Sequence, residues 1–347
     1  MIIFYICITF WNAVSSKARI LLLYHDKTDV LTIYHSKVLG DLSMGIQKYR
    51  AFLKVVDTGS VTRAAEELGY TQSAVSRMLK ELEKEWGIHL VHRYRSGAVI
   101  TSEGIAILPH VREMLAAYDN IFATAAEIKG LRAGTLRIGS FTSLSTNLLP
   151  LILRAFRNEH PQIQIELLNG EYNEVADWLR TNRVDCGFLS MPVEADLDAT
   201  LFFRDQLVAI VPLGSPYADR RRFHLDDLAS ENMVMLKEEQ DDEINVFLES
   251  HNVKVRTVYE VSNDYSILTM VEMGMGVSVV HDLILHPPRY QVKRLTLDVR
   301  RPIDIGIAVK KNSTPSTLTK LFMEFALSHV DTIAKRAKGS RQTALDL

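Results

Sequence analysis

One stretch of the sequence interleaves polar and basic side chains with apolar ones at the spacing of a helix. Its polar members are Gln72, Ser73, Ser76, Arg77 and Lys80. In the major groove of DNA, glutamine bonds adenine and arginine bonds guanine, while hydroxyl groups bond phosphates or base edges. Arg77 and Lys80 lie three residues apart and share a face, so one can address a base edge and the other a phosphate. The alternative is an ordinary solvated face, as the nearby acidic residues Glu81, Glu83 and Glu85 illustrate.

The surrounding elements predict how this stretch is presented. Apolar residues recur at helical spacing from Ile46 to Val56, and that helix should end near Gly59. Ser60 can cap a second helix, Val61–Leu68, and Thr71 can cap a third helix that reaches Trp86. Two helices joined by a short glycine turn form the helix-turn-helix pattern, whose second helix enters the groove. We therefore add two residues at helix starts, Thr62 and Thr71, to the candidate DNA contacts.

A small β-hairpin is predicted to follow. The stretches Leu90–Arg93 and Ala98–Thr101 flank residues 94–97 as two short strands would. We interpret the hairpin as a wing, which gives a winged helix-turn-helix domain over residues 44–102. Arg93 and Arg95 are then placed to contact the DNA backbone or a minor groove. His89 and His92 have the spacing of a metal pair but no third ligand, so we predict no metal site.

A long helix over residues 103–132 is predicted to link this domain to the rest of the chain. Its apolar residues alternate three and four apart, and a second set repeats every seven: Ile107, Met114, Ile121 and Ile128. Such a seam favours packing against another helix, so a dimer-forming coiled coil is our interpretation. The alternative is a core helix of a single domain.

From Gly134 the sequence changes to strands that alternate with helices. The predicted strands are Thr135–Gly139, Ile163–Leu168, Asp185–Leu189, Leu207–Val211, Met233–Leu236, Val277–Val280 and Ile303–Val309. This alternation predicts an α/β domain with mainly parallel sheets over residues 133–335, followed by a tail at 336–347.

Hydroxyl groups follow the first of these strands. Ser140, Phe141, Thr142 and Ser143 lead into a predicted helix that contains Leu148. Free backbone N–H groups at a helix N-terminus favour an anion, and ligands of open α/β sheets bind beyond the carboxyl ends of the strands. Simple capping by Ser143 or Ser145 is the alternative. Three further candidates for the same ligand-binding cleft are Ser190, Asn263 and Asp264.

Composition limits the classes of protein that remain. Hydrophobic residues make up 47% and charged residues 24% of the 347 residues, and the net charge of −2 requires any nucleic-acid surface to be local. Two cysteines exclude a disulfide scaffold and fit a reducing compartment, so we expect a cytoplasmic protein. No motif implies a cofactor.

The first 43 residues are treated separately. Their apolar start has no preceding Lys or Arg and is too short to span a bilayer, which argues against a signal peptide and a membrane span. We interpret residues 1–43 as the result of a start codon assigned too early or as a disordered extension. A membrane-associating extension is the alternative.

The N-terminal motifs resemble those of LysR-type transcriptional regulators from Met44 to about Leu131. The matching residues are Phe52, Val56, Gly59-Ser60, Ala64-Ala65, Leu68, residues 71–76, Leu79, Leu82-Glu83, Gly87, Leu90, Arg93, Thr101 and Gly104. The remainder is similar to that family's effector domain in element order and in the segment Val271–Val277.

The resemblance implies an effector-binding domain of two lobes, similar to type 2 periplasmic solute-binding proteins. Lobe I would comprise residues 133–206 and 304–335, and lobe II residues 207–303, with crossover strands near Leu207–Val211 and Ile303–Val309. It also implies four partners: double-stranded DNA, a second copy of the chain in a homodimer or homotetramer, a small-molecule co-inducer and RNA polymerase. It implies no membrane partner and no enzymatic activity.

Two other classes remain open from sequence. An enzyme on an α/β sheet is one, although no nucleophile elbow, phosphate loop or dinucleotide glycine fingerprint occurs in the sequence. A solute-binding protein with an unrelated N-terminal interaction domain is the other.

Overall fold

The computed structural model describes residues 45–94, 97–128, 134–237, 243–286 and 288–337. The chain divides into two compact units, with the division between Ile107 and Leu108. The extension predicted for residues 1–43 and the predicted tail from residue 338 onward lie outside the described residues.

The N-terminal unit begins with three helices: α1 (residues 45–58), α2 (Val61–Leu68) and α3 (Gln72–Trp86). The predicted caps are present. Ser60 accepts a hydrogen bond from the Arg63 N–H and Thr71 accepts one from the Ala74 N–H. These side chains satisfy backbone donors that the first helical turn leaves free, so α2 and α3 begin where the sequence predicts. The predicted helix-turn-helix is confirmed.

The predicted hairpin is also present, as β1 (Val91–Tyr94) and β2 (Gly97–Ile100), which pair antiparallel. A threonine fixes its end: Thr101 Oγ1 donates to the His89 carbonyl at 2.7 Å and accepts from the Gly104 N–H at 2.9 Å. A Cβ at Gly104 would lie 2.4 Å from the Leu90 carbonyl oxygen. The backbone therefore approaches too closely here for any residue but glycine.

The long helix α4 runs over Ser102–Ile128. Within the C-terminal unit, Val111 and Leu115 on this helix are buried. The exposed apolar side chains of the same helix include Met114, Ile121 and Phe122. The helix therefore packs one side against the core of the C-terminal unit, as the alternative of a core helix predicted. Its other side keeps exposed apolar residues, which a dimer-forming coiled coil would need.

The C-terminal unit holds the remaining strands and helices. Its strands are β3 (Gly134–Ser140), β4 (Ile163–Asn169), β5 (Cys186–Ser190), β6 (Leu197–Pro212), β7 (Arg222–Phe223), β8 (Asn232–Leu236), β9 (Arg256–Val261), β10 (Ser278–His281), β11 (Val292–Leu297) and β12 (Pro302–Lys310). Its further helices are α5 (Thr142–Asn147), α6 (Leu149–Glu159), α7 (Tyr172–Arg180), α8 (Glu243–Ser250), α9 (Asp264–Glu272) and α10 (Thr317–Ala337), with 3₁₀ turns at Leu225–Ser230 and Asp282–Leu285.

One strand joins the two lobes of this domain. Residues 197–206 of β6 pair with β12, whereas residues 207–212 pair with β10 and β11. The sheet order is β4-β3-β5-β12-β6-β11-β7, and β10 also pairs with β6. β6 is thus the crossover predicted near Leu207–Val211, and the two-lobed α/β class is confirmed.

The expectation of mainly parallel sheets was wrong. The sheets are mixed, because β12 runs antiparallel to both β5 and β6, while β10 and β11 run antiparallel to β6. The chain returns from lobe II to lobe I between β11 and β12, next to the start of the predicted range Ile303–Val309. β12 itself lies in lobe I, where it pairs with the first part of β6 along its whole length and with β5 over Ile305–Ala308. Strands β7, β9 and β11, which lack a strong apolar run, were also missed.

Aromatic packing anchors α6 and α10 on lobe I. Phe156 is fully buried, and its ring contacts those of Phe322 and Phe325 edge-on, with centroids 5.3 Å apart in both pairs. Edge-to-face pairs of this kind add to the free energy gained from burial alone. Helix α10 also packs against β3 and β6, so this aromatic cluster lies against the sheet.

Candidate DNA-contacting surface and effector cavity

Helix α3 buries one face and exposes the other. Val75, Leu79 and Leu82 are buried, which holds the helix on the N-terminal unit. The polar residues predicted from sequence lie on the outer side: Thr71, Gln72, Ser73, Arg77 and Lys80 are exposed and Ser76 is partly exposed. Thr62 at the start of α2 is exposed as well. The helix therefore presents donors, acceptors and positive charge on a single surface.

Hydrogen bonds along α3 order the leading side chains. Thr71 Oγ1 lies 3.0 Å from Ser73 Oγ, and Gln72 Nε2 lies 3.5 Å from Ser76 Oγ. These contacts are weak and exposed, so a stronger partner can replace them at little cost.

Arg93 on the wing contacts α3 directly. Its guanidinium donates to Ser76 Oγ at 2.8 Å and to the Ser76 carbonyl at 3.3 Å. Because Ser76 lies in the middle of the polar face, Arg93 ties the wing to the helix and adds its charge to the same surface. Arg95, the other wing residue named from sequence, lies outside the described residues.

The acidic residues near α3 have identifiable structural partners. Glu81 pairs with Lys48 at 3.1 Å and with Arg77 at 3.4 Å. Glu83 accepts hydrogen bonds from the Leu90 and Val91 N–H groups, and so fixes the start of the hairpin. Lys80 has no carboxylate partner among the residues that the structure describes, which leaves its charge available.

The loop after β3 is more closed than the sequence suggests. Ser140, Phe141 and Ser143 are buried, and Thr142 Oγ1 accepts from Asn169 Nδ2 at 3.2 Å. Helix α5 has only six residues, and Phe141 at its N-cap makes no side-chain cap bond, so the capping role considered for Ser143 or Ser145 was wrong. Ser145 Oγ instead lies 2.7 Å from Asn169 Oδ1 and 3.2 Å from the Thr142 carbonyl oxygen, and its one proton can be donated to either acceptor.

A buried asparagine explains this closure. Asn147 on lobe I donates through Nδ2 to the carbonyls of Leu283 and Ile284 on lobe II, at 3.3 and 3.4 Å. The lobes therefore touch where an open anion-binding cleft was expected.

A cavity of about 420 Å³ lies at the end of β5. That volume falls within the range of small-molecule sites, roughly 300–1,000 Å³. The polar or charged residues that line it are Tyr172, Asn173, Ser190, Glu194, Glu243 and Arg301. Ser190 Oγ donates to Glu243 Oε1 at 3.0 Å and so joins β5 to α8.

Of the effector residues named from sequence, only Ser190 lines this cavity. Asn263 caps α9 by accepting from the Tyr265 N–H at 2.8 Å, and Asp264 begins that helix. Burial raises the pKa of Asp264 above its ordinary value, although His281 opposes the shift. Asn263 thus has a structural partner, and Asp264 belongs to a charged cluster next to the cavity.

That cluster is centred on His281, at the end of β10. His281 Nδ1 lies 3.5 Å from Asp205 Oδ2, and Nε2 lies 3.6 Å from Glu243 Oε2. Burial alone would lower the pKa of His281, but Asp205, Glu243 and Asp264 outweigh burial and raise it above its ordinary value. A protonated His281 therefore balances part of the negative charge that these carboxylates place behind the cavity.

Comparison with known proteins agrees with both halves of this description. Residues 46–105 match the family model described as "Bacterial regulatory helix-turn-helix protein, lysR family", and residues 129–331 match the model "LysR substrate binding domain". The chain is 30% identical over 287 residues to the "Probable HTH-type transcriptional regulator LrrA" of Synechococcus elongatus, an alignment that covers 80% of this chain and 95% of that protein.

This chain belongs to the LysR family of transcriptional regulators.

Solved structures of LysR-type proteins share the fold. A single-residue variant of full-length OxyR from Pseudomonas aeruginosa aligns with a TM-score of 0.65 at 21% identity, over 82% of this chain and 94% of that one. Full-length CbnR in complex with its target DNA aligns with a TM-score of 0.60 at 20% identity, over 83% of this chain and 99% of that one. In the part of our LysR-type chain that the structure describes, no helix is both long and apolar enough to cross a bilayer. The same residues contain no group of three or more His, Cys, Asp or Glu arranged to hold a metal ion.

Four residues important to the ligand-binding domain of this LysR-type regulator were not named as candidates from sequence: Asn147, Glu243, His281 and Arg301. Asn147, Glu243 and His281 make contacts across long separations in the chain, as with Ser190 and Glu243, which are 53 residues apart. Arg301 lines the cavity. Only His281 carried a local signal, because it directly follows the strand after the glycine pair Gly274 and Gly276.

Proposed function

We propose that this regulator reads promoter DNA by inserting the exposed face of α3 into the major groove. The observation that carries the proposal is that one capped helix has its apolar face buried and its polar face exposed, with the Lys80 charge available. Gln72 and Arg77 would contact base edges, while Lys80, Arg93 and the hydroxyls of Thr62, Thr71, Ser73 and Ser76 would contact phosphates or base edges. Arg95 completes the proposed set.

The chain is proposed to bind as a homodimer or homotetramer. The exposed Met114, Ile121 and Phe122 support this proposal, because an apolar stripe along a long helix is stabilised when a second helix covers it. Two copies of α3 would then contact two half-sites about one turn of DNA apart, roughly 34–36 Å.

The division of roles follows the domain limits predicted from sequence. Residues 44–102 contact DNA, residues 103–132 form the dimer helix, and residues 133–335 bind a small-molecule co-inducer that adjusts the spacing of the two DNA-binding units. The partner of the bound complex is RNA polymerase, and the site of action is the cytoplasm. The chain carries out no catalysis in this proposal.

A gel-shift experiment tests the proposal. Purified full chain is incubated with the DNA fragment upstream of its own gene and with a scrambled fragment of the same composition. We expect a complex with the first fragment that excess scrambled DNA does not remove. Arg157→Ala provides the control, because Arg157 is an exposed basic residue on α6 of the C-terminal unit and is not one of the proposed DNA contacts. Equal affinity for both fragments, or no complex with either, would contradict the proposal.

A further inference from the structure

The cavity beside β5 has groups of opposite charge in its wall. Glu243 and Arg301 both line it, and aliphatic side chains such as Leu189, Val193 and Val246 provide the rest of the surface. A ligand that fits this wall needs a donor or positive group for Glu243, an acceptor or negative group for Arg301, and a small apolar portion.

Glu243 is only partly satisfied within the protein. Its Oε1 accepts from Ser190, while its Oε2 is buried and has no hydrogen-bond partner among the residues that the structure describes, with His281 Nε2 3.6 Å away. A buried carboxylate oxygen without a donor is unfavourable, and an ammonium group can supply up to three donors. The Glu243 carboxylate, which only accepts hydrogen bonds when ionised and lines the cavity, is therefore better matched by an ammonium than by another carboxylate.

The neighbouring charges favour the same choice. Three carboxylates, those of Asp205, Glu243 and Asp264, act on the single imidazole of His281. Arg294 offsets part of the Asp205 charge, but Glu243 and Asp264 both face His281, so one positive group meets two carboxylates when both are ionised. A simple carboxylate ligand at this end of the cavity would meet repulsion.

Arg301 requires a negative group on the part of the ligand that lies next to it. Its side chain is exposed, and within the described residues no carboxylate pairs with it. The other acidic residue of the wall, Glu194, is already bound by Arg180 at 2.7 Å. A guanidinium with free donors binds a ligand carboxylate through two parallel hydrogen bonds.

We infer that the effector is a zwitterion of the α-amino acid class, with its ammonium group on Glu243 and Ser190, its carboxylate on Arg301, and its side chain against the aliphatic wall. This inference rests on the proposed effector-sensing role of the C-terminal domain. It places the effector away from the site predicted from sequence at residues 140–143, where the side chains of Ser140, Phe141 and Ser143 are buried.

Isothermal titration of the full chain with each of the twenty common L-α-amino acids tests the inference. For each amino acid that binds, the matched carboxylic acid and the matched amine are titrated too; for L-leucine these are 4-methylpentanoate and isoamylamine. We expect at least one amino acid to bind, and both single-charge analogues to bind roughly tenfold or more weakly, since each lacks one charge-assisted contact.

Two variants with matched controls assign the charges. Arg301→Gln and Glu243→Gln should each weaken binding of the amino acid roughly tenfold or more. Arg300→Gln should not, because Arg300 lines a different cavity with Arg204 and Asp282. Glu249→Gln should not either, because Glu249 is exposed on the same helix as Glu243 but does not line the cavity.

Three results would overturn the inference: no binding by any amino acid, binding of the carboxylic acids at unchanged affinity, or equal losses in the control variants. DNA binding is measured separately by gel shift without ligand. Amino-acid binding without a DNA complex would count against the proposed function alone, and a DNA complex without amino-acid binding would count against the zwitterion alone.

Discussion

Replacing Arg77 with alanine is expected to remove sequence reading while leaving the fold intact. The Arg77 side chain is 72% exposed and pairs with Glu81 on the next turn at 3.4 Å. An exposed pair of this kind contributes only about 0.3–0.5 kcal/mol to the free energy of unfolding. A specific base contact is worth about 1–3 kcal/mol of binding free energy, a factor of roughly 5–150 in Kd. The loss of specific binding should therefore greatly exceed the loss of stability.

Fluorescence anisotropy with labelled DNA measures the first quantity. The upstream fragment and a scrambled fragment are titrated with wild type and with Arg77→Ala at several salt concentrations. We expect the variant to lose affinity for the upstream fragment and to keep most of its affinity for the scrambled one. Lys80→Ala is the contrasting variant: it should weaken both complexes similarly and reduce the salt slope by about one.

Arg77→Lys separates charge from geometry. Lysine keeps the positive charge but cannot form the paired hydrogen bonds of a guanidinium, so this variant should bind scrambled DNA as wild type does and still lose specificity. The reasoning would be refuted if Arg77→Ala lowered affinity for both fragments by the same factor. It would also be refuted if the unfolding temperature fell by as much as a core substitution causes, since the residue would then be structural.

Four further predictions concern other parts of the molecule. Gln72→Ala should cost about 1–3 kcal/mol on the upstream fragment in the anisotropy assay and relax its specificity. The double variant Ile121→Glu, Phe122→Glu should sediment as a monomer in analytical ultracentrifugation, because both apolar side chains are exposed on α4 and charge there opposes helix pairing. Phe156→Ala should lower the free energy of unfolding by about 3–5 kcal/mol in denaturant titration, since it empties a fully buried site. The pKa of His281 is raised in the folded state, so its ion pairs stabilise the fold fully below about pH 6.5 and are lost as the pH rises through that pKa. The difference in unfolding temperature between wild type and His281→Asn should therefore shrink from about pH 6 to about pH 9.

Each of these has a contrary outcome. If the double α4 variant remained dimeric, α4 would not form the dimer interface. A Phe156→Ala variant as stable as wild type would mean that the site collapses around the missing ring. A temperature gap for His281→Asn that grows with pH would mean that burial, and not the carboxylates, controls the titration of this residue. Unchanged specificity in Gln72→Ala would leave Arg77 as the base-reading residue.

The N-terminal unit was predictable because its signals are local. Ser60 and Thr71 each bond a backbone N–H three residues ahead, and Gly69 and Gly87 adopt the left-handed conformation that ends a helix. Such signals depend on side-chain chemistry within one turn, so the sequence alone carries them. The place of α3 in this pattern also identified its polar face.

The candidate effector cavity was not predictable in the same way. Ser140 and Ser143 were named because they follow a strand, but their burial accompanies the bond from Asn147 to Leu283, which lies 136 residues further along the chain. The Ser190 contact with Glu243 and the cluster around His281 likewise join elements from both lobes. Hydrophobic periodicity predicts which face of an element is buried, but it does not predict which distant loop covers that face.

Hydroxyl-radical footprinting of the wild-type chain on the DNA upstream of its own gene tests the central claim most directly. Reading by a pair of α3 helices predicts protected patches on one side of the duplex, about 10–10.5 base pairs apart, that disappear with Arg77→Ala. Uniform protection, no protection, or a pattern unchanged in Arg77→Ala would contradict the role of α3 in reading DNA.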